Sequence, residues 1–328
     1  MSRLELLKAH GCGNDVFLVD GSPEQLGFTD AKRSAFVRAI CSRSSLGADG
    51  VYFIDAQRTI PTAWYFNSDG SPAEFCGNGF RCVGRWLLDR FEQDQLIAMS
   101  GNDRFEVSRA EQLAPGVVSI GVASERPIRF MQFGASRSTY QAAPLRRYSP
   151  SRLFTAFNGP NPHLISVVDA FDEQELELVG VMANDDRSQF ANGINTSFVL
   201  PGNPARTDFY ARTYERGAGF TTSCASGAAA SAAALVSLGL ADAETWLTVR
   251  NNGGPLTIAI RGDKGNLYPS HRGNATWVYR TEVDIDEAIE GRLHVTELEV
   301  CDHEIAAYSA LWSAGSDHLK TLGVSVSL

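Results

Sequence analysis

Apolar residues in this chain come mostly in short runs bounded by Gly, Asn, Asp or Pro, a pattern that predicts strands. In the first half such runs fall at 4–9, 16–19, 51–54, 62–66, 96–100, 104–108 and 117–122. Thr29 or Asp30 caps a predicted helix to about Cys41, with Phe36, Val37 and Ile40 on its buried side. A second helical pattern, with Phe80, Val83, Leu87 and Leu88 on one side, follows the polar turn that starts at Asn67. Residues 125–158 are irregular and rich in Pro and Arg, and read as a crossover carrying a loop or hairpin. Strand patterns resume at 163–168, 195–200 and 208–214. An alanine-rich helix after Cys224 follows, then strands near 245–250, 256–261 and 276–283. The last segment, 284–328, is acidic with a short amphipathic pattern at Ile305, Tyr308, Leu311 and Trp312.

The second half therefore repeats the first: strands, a cysteine turn, a helix of small or apolar residues, strands. The run from Ala228 to Ala234 is apolar all round, which favours burial inside a wrap of strands over a surface position.

Composition narrows the classes. At 328 residues with 44% hydrophobic and 20% charged, the chain is long enough for two domains with substantial cores. The excess of 38 acidic over 29 basic residues, without a basic cluster, argues against a nucleic-acid partner. Long apolar stretches are absent, so no membrane span is expected. Glu5 and Lys8 interrupt what a signal peptide needs as its apolar core, so a cytoplasmic enzyme is expected. The six cysteines include no Cys-x-x-Cys pair, and no His-x-x-x-His pair occurs, so a zinc site is not expected. A chain of this size without an export signal gains little from disulfides, so none are expected either. Cys41 and Cys82 fall in helical apolar patterns and read as buried small hydrophobes.

Cys76 and Cys224 stand apart. Each lies in a Cys-x-x-Gly turn at the mouth of a predicted helix. Unpaired N–H groups at a helix start attract negative charge, lower a thiol's pKa and cradle a carboxylate. Two such thiols can exchange a proton across one carbon, one removing it as thiolate and the other returning it as thiol, with no cofactor. Such a pair titrates as one coupled system. The alternative is that both cysteines are structural and the neighbouring glycines are turn signals.

The motifs bear on that choice. His10-Gly-Cys-Gly-Asn-Asp, Leu46-Gly-Ala-Asp-Gly, Asn67-Ser-Asp-Gly-Ser and Glu74-Phe-Cys-Gly-Asn-Gly-Phe-Arg-Cys occur in order in the first half. Asn161-Pro-His, Asn192-Gly-Ile-Asn, Tyr214-Glu-Arg-Gly-Ala-Gly and Cys224-Ala-Ser-Gly follow. With these the chain resembles the diaminopimelate epimerases, from about Leu4 to about Ile285. The resemblance implies an α+β fold of two pseudo-symmetric lobes, each a strongly curved, mainly antiparallel sheet wrapped round a central helix, with the active site in the cleft. The lobes would comprise 1–123 plus about 276–287, and 124–275, with 288–328 as an extension of unassigned role.

It further implies Cys76 and Cys224 as acid and base. Gly77 and Asn78 at one helix mouth, and Ala225 and Ser226 at the other, would hold the reacting carboxylate. Arg216 would bind the far carboxylate of a long diamino diacid, which suits its planar fork. Asn14, Asn67, Asn161 and Asn195 match hydrogen-bonding asparagines, and Glu215 and His163 match residues that contact the reacting end. The implied enzyme is a PLP-independent isomerase with no metal or cofactor, a homodimer, converting LL- to meso-diaminopimelate for lysine and peptidoglycan supply.

The chain also departs from the family pattern. Ala225 replaces a usual Gly, Phe220 a usual Glu, and Cys12 an apolar residue or Gln. Two rivals follow: a racemase of another amino acid on the same fold, and a non-catalytic amino-acid binder.

Overall fold

The computed structural model describes residues 3–133, 138–159, 161–202, 206–263, 265–293, 295 and 298–324. Parts of the expected crossover (134–137) and of the tail (325–328) lie outside the described residues. The fold is mixed α+β. Among the described residues the helices are α1 (Asp30–Cys41), α2 (Gly77–Arg90), α3 (Glu173–Asp185), α4 (Ala225–Ser237), α5 (Ile285–Ile289) and α6 (Asp302–Thr321). Among the described residues no helix is long and apolar enough to cross a membrane. The chain divides into two compact units, Met1–Val122 with Gly273–Leu311, and Ala123–Arg272 with Trp312–Leu328.

In the first unit, strand Arg3–Gly11 pairs antiparallel with Asn14–Asp20 and with Thr276–Asp284. Asn14–Asp20 pairs parallel with Gly50–Asp55, and α1 makes the crossover a parallel pair requires. Gly50–Asp55 then pairs antiparallel with Thr62–Asn67, which pairs parallel with Gln95–Ser100 across α2. Gln95–Ser100 closes in a hairpin with Asp103–Ala110.

Helices thus cover both faces of the sheet, which explains why the apolar runs are continuous rather than alternating. Successive side chains point to opposite faces. Leu6, Phe17, Val51 and Phe53 pack with Phe36, Val37 and Ile40 of α1. Their neighbours Leu7, Leu18, Tyr52 and Ile54 pack with Phe80, Val83, Leu87 and Leu88 of α2. Thr29 caps α1 with its hydroxyl, as its side chain allows. Cys41 and Cys82 are buried.

The pattern along α2 predicts one buried side, yet Arg81 and Arg85 are buried as well. Arg85 is accommodated because Glu304 of α6 takes two of its nitrogens at 2.6 and 2.8 Å, the Ala275 carbonyl accepts at 2.7 Å, and the guanidinium lies 4.1 Å from the Trp277 ring centre. Close approach of backbone to α2 depends on Gly11. A Cβ there would lie 2.7 Å from both the Asn78 carbonyl oxygen and an Arg81 nitrogen. Gly11→Ala is therefore expected to cost about 1–3 kcal/mol, read as a lower urea midpoint; an unchanged midpoint would show that α2 can shift freely.

The second unit uses the same connection order. Leu153–Asn158 pairs antiparallel with His163–Val167, which pairs parallel with Asn195–Pro201 across α3. Asn195–Pro201 pairs antiparallel with Asp208–Glu215, which pairs parallel with Leu247–Asn251 across α4. Leu247–Asn251 closes in a hairpin with Gly254–Asp263. In α4 the residues from Ala228 to Leu235 are all buried.

α3 has no counterpart among the predicted elements. Its Asp172 cap and its buried Leu176, Val179, Gly180 and Ala183, at helical spacing, are nevertheless in the sequence. The expected crossover contains the short hairpin Gln132–Phe133 with Ser138–Thr139. The strand Asn266–Asn274 also goes beyond the predicted elements; Pro269 within it weakens the strand pattern. The tail's short amphipathic pattern proves to belong to α6, whose Tyr308 is buried in the first unit and Leu319 in the second.

Candidate active site

Each unit presents a cysteine as the residue that caps its enclosed helix. Cys76 is extended (φ −123°, ψ 103°), and its Sγ accepts the Gly79 N–H at 3.4 Å. The Tyr52 hydroxyl, buried under α2, fixes this turn from below. It accepts the Cys76 N–H and donates to the Cys76 carbonyl, both at 3.0 Å. The Cys76 thiol donates to Asn14 Oδ1 at 3.1 Å, and the Asn14 amide nitrogen donates to Asp49 Oδ2 at 2.9 Å.

Asn78, buried in the first turn of α2 beside Gly77, accepts from Arg81 at 2.8 Å through Oδ1. Arg81 is fully buried, donating also to the Asn274 carbonyl at 3.1 Å and to Cys12 Sγ at 3.4 Å. Cys12 is buried in left-handed backbone (φ 52°) between two glycines, with its N–H on Asn274 Oδ1 at 2.8 Å. Asn67 ends strand Thr62–Asn67 and turns its amide to Ser71 Oγ at 3.0 Å, within its own turn.

Cys224 repeats the geometry. It is extended (φ −113°, ψ 103°), with Sγ accepting the Gly227 N–H at 3.3 Å. Ser226 Oγ lies 3.5 Å from the sulfur, and His163 Nε2 lies 3.0 Å from Ser226 Oγ. Thr221 donates its hydroxyl to Glu215, and Glu215 is also hydrogen-bonded to Cys224. Asn195 stands opposite His163 in the adjacent strand, and its Oδ1 accepts the Arg216 N–H at 2.9 Å. The Arg216 guanidinium donates to Asn161 Oδ1 at 3.1 Å and to the Asn192 carbonyl at 3.3 Å. Ala225 is buried as the first residue of α4.

Electrostatics differ from the sequence expectation at one point. A helix mouth alone lowers a thiol's pKa, but Cys224 is pushed well above the ordinary thiol range. Loss of solvation is the first cause and the Glu215 carboxylate the second, and together they outweigh the Gly227 N–H. Burial likewise raises Glu215. His163 is pushed down to about 3 by burial and then by the Arg216 charge, so it is a neutral imidazole at pH 7.

Sequence comparison gives the family. The diaminopimelate epimerase family profile matches residues 6–124 and 155–278. The diaminopimelate epimerase of Listeria welshimeri is 33% identical over an alignment of 341 positions, covering 98% of this chain and 100% of that protein. The chain belongs to the diaminopimelate epimerase family. It is accordingly an isomerase.

The diaminopimelate epimerase of Clostridium acetobutylicum is 31% identical over 299 positions, covering 87% of this chain and 86% of that protein. Among solved structures, a PhzF-family phenazine biosynthesis protein from Bacillus anthracis superposes with a TM-score of 0.64 at 14% identity, covering 87% of this chain and 100% of that one. A hydroxyproline epimerase from Agrobacterium vitis gives 0.60 at 14% identity, covering 96% and 98%. At that identity the likeness is one of fold.

Phe220 lies in the short strand Gly219–Phe220 ahead of the Cys224 turn. Its ring stands edge-on to Tyr214 at 5.4 Å and lies 4.6 Å from the Arg212 guanidinium. Arg212 is paired with Glu173 of α3 at 3.2 Å and donates to the Thr221 carbonyl, so it ties the turn before Cys224 to the sheet. Tyr52, Asp49, Arg81, Arg212 and Thr221 are absent from the sequence-derived site. Asp49 and Arg81 lie inside the quoted motifs, which was the available signal; the others are ordinary strand and turn residues in sequence.

Proposed function

We propose that this chain interconverts LL- and meso-diaminopimelate by a two-thiol acid/base reaction that uses no PLP, in the supply of lysine and peptidoglycan precursor. The observation that carries the reading is the duplicated turn. Two cysteines cap two enclosed helices with nearly the same backbone angles, and each sulfur is met by the N–H three residues on. One sulfur removes the α-hydrogen as thiolate while the other donates a hydrogen to the opposite face. Negative charge that develops on the carbon spreads into the substrate carboxylate. N–H groups at the helix starts, with the Asn78 and Ser226 side chains, stabilise it there. Glu215 is the base within hydrogen-bond reach of the Cys224 thiol, and its raised affinity for a proton suits it to take that one. Arg216, steadied by Asn161 and Asn195, offers a planar fork to a distal carboxylate.

A second reading, a racemase of a different amino acid, is favoured by Phe220, where an aromatic ring stands beside the Cys224 turn in place of the family's usual glutamate. Uptake of deuterium at the α-carbon from deuterated water separates the two. Exchange and inversion with LL-diaminopimelate are expected. Exchange with glutamate or histidine and none with diaminopimelate overturns the first reading in favour of the second.

A further inference from the structure

We propose that Asp49 is a positioning residue for Cys76, acting through the amide of Asn14. The proposal rests on the two-thiol reading only for its catalytic meaning; the protonation it predicts can be read without turnover. An asparagine amide has one end that donates and one that accepts. A carboxylate only accepts, so the end of Asn14 that meets Asp49 Oδ2 at 2.9 Å is the nitrogen. The carbonyl end is then the one that faces the sulfur, 3.1 Å away. A carbonyl oxygen accepts from S–H and repels S⁻. Cys76 is thereby held as thiol, ready to give a proton, by a carboxylate that never touches it.

The surroundings fix Asp49 in that role. Oδ2 also takes the Asp15 N–H at 3.0 Å, and Oδ1 takes the Arg43 guanidinium at 2.5 Å. Asp15 is itself held by Lys8 at 2.6 Å and by Arg43 at 2.9 Å, and the Tyr65 hydroxyl donates to the Asp49 carbonyl at 3.2 Å. Neither Asp49 oxygen is at liberty to turn. Burial and the neighbouring Asp15 charge raise Asp49 to about 6, so near neutral pH it is chiefly the anion that orients the amide. With the acceptor gone, nothing holds the Asn14 nitrogen in place, and the amide is free to turn over and set N–H against the sulfur, which stabilises thiolate.

Asp49→Ala removes the acceptor and adds no donor of its own. The test is the pH profile of Cys76 alkylation by iodoacetamide in the full-length protein, read by peptide mass spectrometry with Cys224 as internal reference. The variant is expected to shift the Cys76 midpoint down by about one pH unit and speed its alkylation about tenfold at pH 7, leaving Cys224 unchanged. An unmoved Cys76 profile overturns the proposal, as does equal acceleration of both cysteines, which reports opening of the chain. If Asp49→Ala does not fold, Asn14→Ala removes the carbonyl directly and must shift the Cys76 profile in the same direction; no shift there overturns the proposal too. Neither readout depends on the substrate, so failure with diaminopimelate and failure of this assignment are separate results.

Discussion

Cys76→Ser and Cys224→Ser should each slow epimerisation of LL-diaminopimelate by about 10³-fold or more, within the range for removing a positioned acid or base. Serine is the informative replacement. Its oxygen can still accept the Gly79 or Gly227 N–H, so the helix cap survives and folding is spared. What is lost is a group able to carry a proton and give it up near neutral pH. The two losses should not add, because inversion needs both groups and fails when either is missing. Each single variant should retain some α-hydrogen exchange from the face its remaining thiol addresses, without inversion. Chiral chromatography of the product, alongside mass spectrometry for deuterium, distinguishes the two events. Inversion within tenfold of the parent rate in either variant would remove that cysteine from the mechanism.

The second large effect concerns acid stability. Two histidines are held neutral by their surroundings: His163 in the second unit, at about 3, and His10 in the first, at about 4. For His10 the first cause is burial, with the Arg81 and Lys8 charges acting the same way and Asp15 opposing them. In both cases the folded pKa lies below the ordinary value of 6.5. The unfolded chain therefore binds a proton first as pH falls. The contribution is complete above about pH 6.5 and drains away toward the folded pKa. Asp49 and Glu215 run the other way, since their raised values let the folded state take up protons first. A comparison of variants isolates the histidine. His163→Gln is neutral at every pH, so between pH 7.5 and 4.5 the parent should lose about 2–3 kcal/mol more than the variant. Urea midpoints at the two pH values measure it. Parallel losses in parent and variant would mean that His163 titrates normally.

Much of this architecture was legible in the sequence because the sheets are buried on both faces. Runs such as Val51–Phe53 have no polar alternation to confuse them, and the strand at Gly50–Asp55 emerges nearly as predicted. The cysteine turns were legible because Gly, Asn and Ser beside a cysteine serve backbone needs that few other residues meet. What escaped was whatever depends on partners far along the chain. Arg81 and Arg85 break the apolar pattern of α2, and only the distant Asn274 and Glu304 make their burial tolerable. Asp49 reads as a turn residue until Asn14, 35 positions earlier, is seen against it. The raised pKa of Cys224 escaped because loss of solvent, its first cause, and the placing of the nearby Glu215 against the sulfur are set by the folded chain and not by spacing. α3 is the exception: its cap and spacing were local and available.

The axis of the second unit imposes a limit on how that half can evolve. α4 is built almost wholly from the smallest side chains, and its buried run admits nothing bulkier than alanine or serine until Leu235. A backbone wrapped that tightly has no slack to lend, so each added methyl must displace a strand. New specificity in this half has to be written at the rim, in turns such as the one bearing Phe220, while its spindle stays as it is.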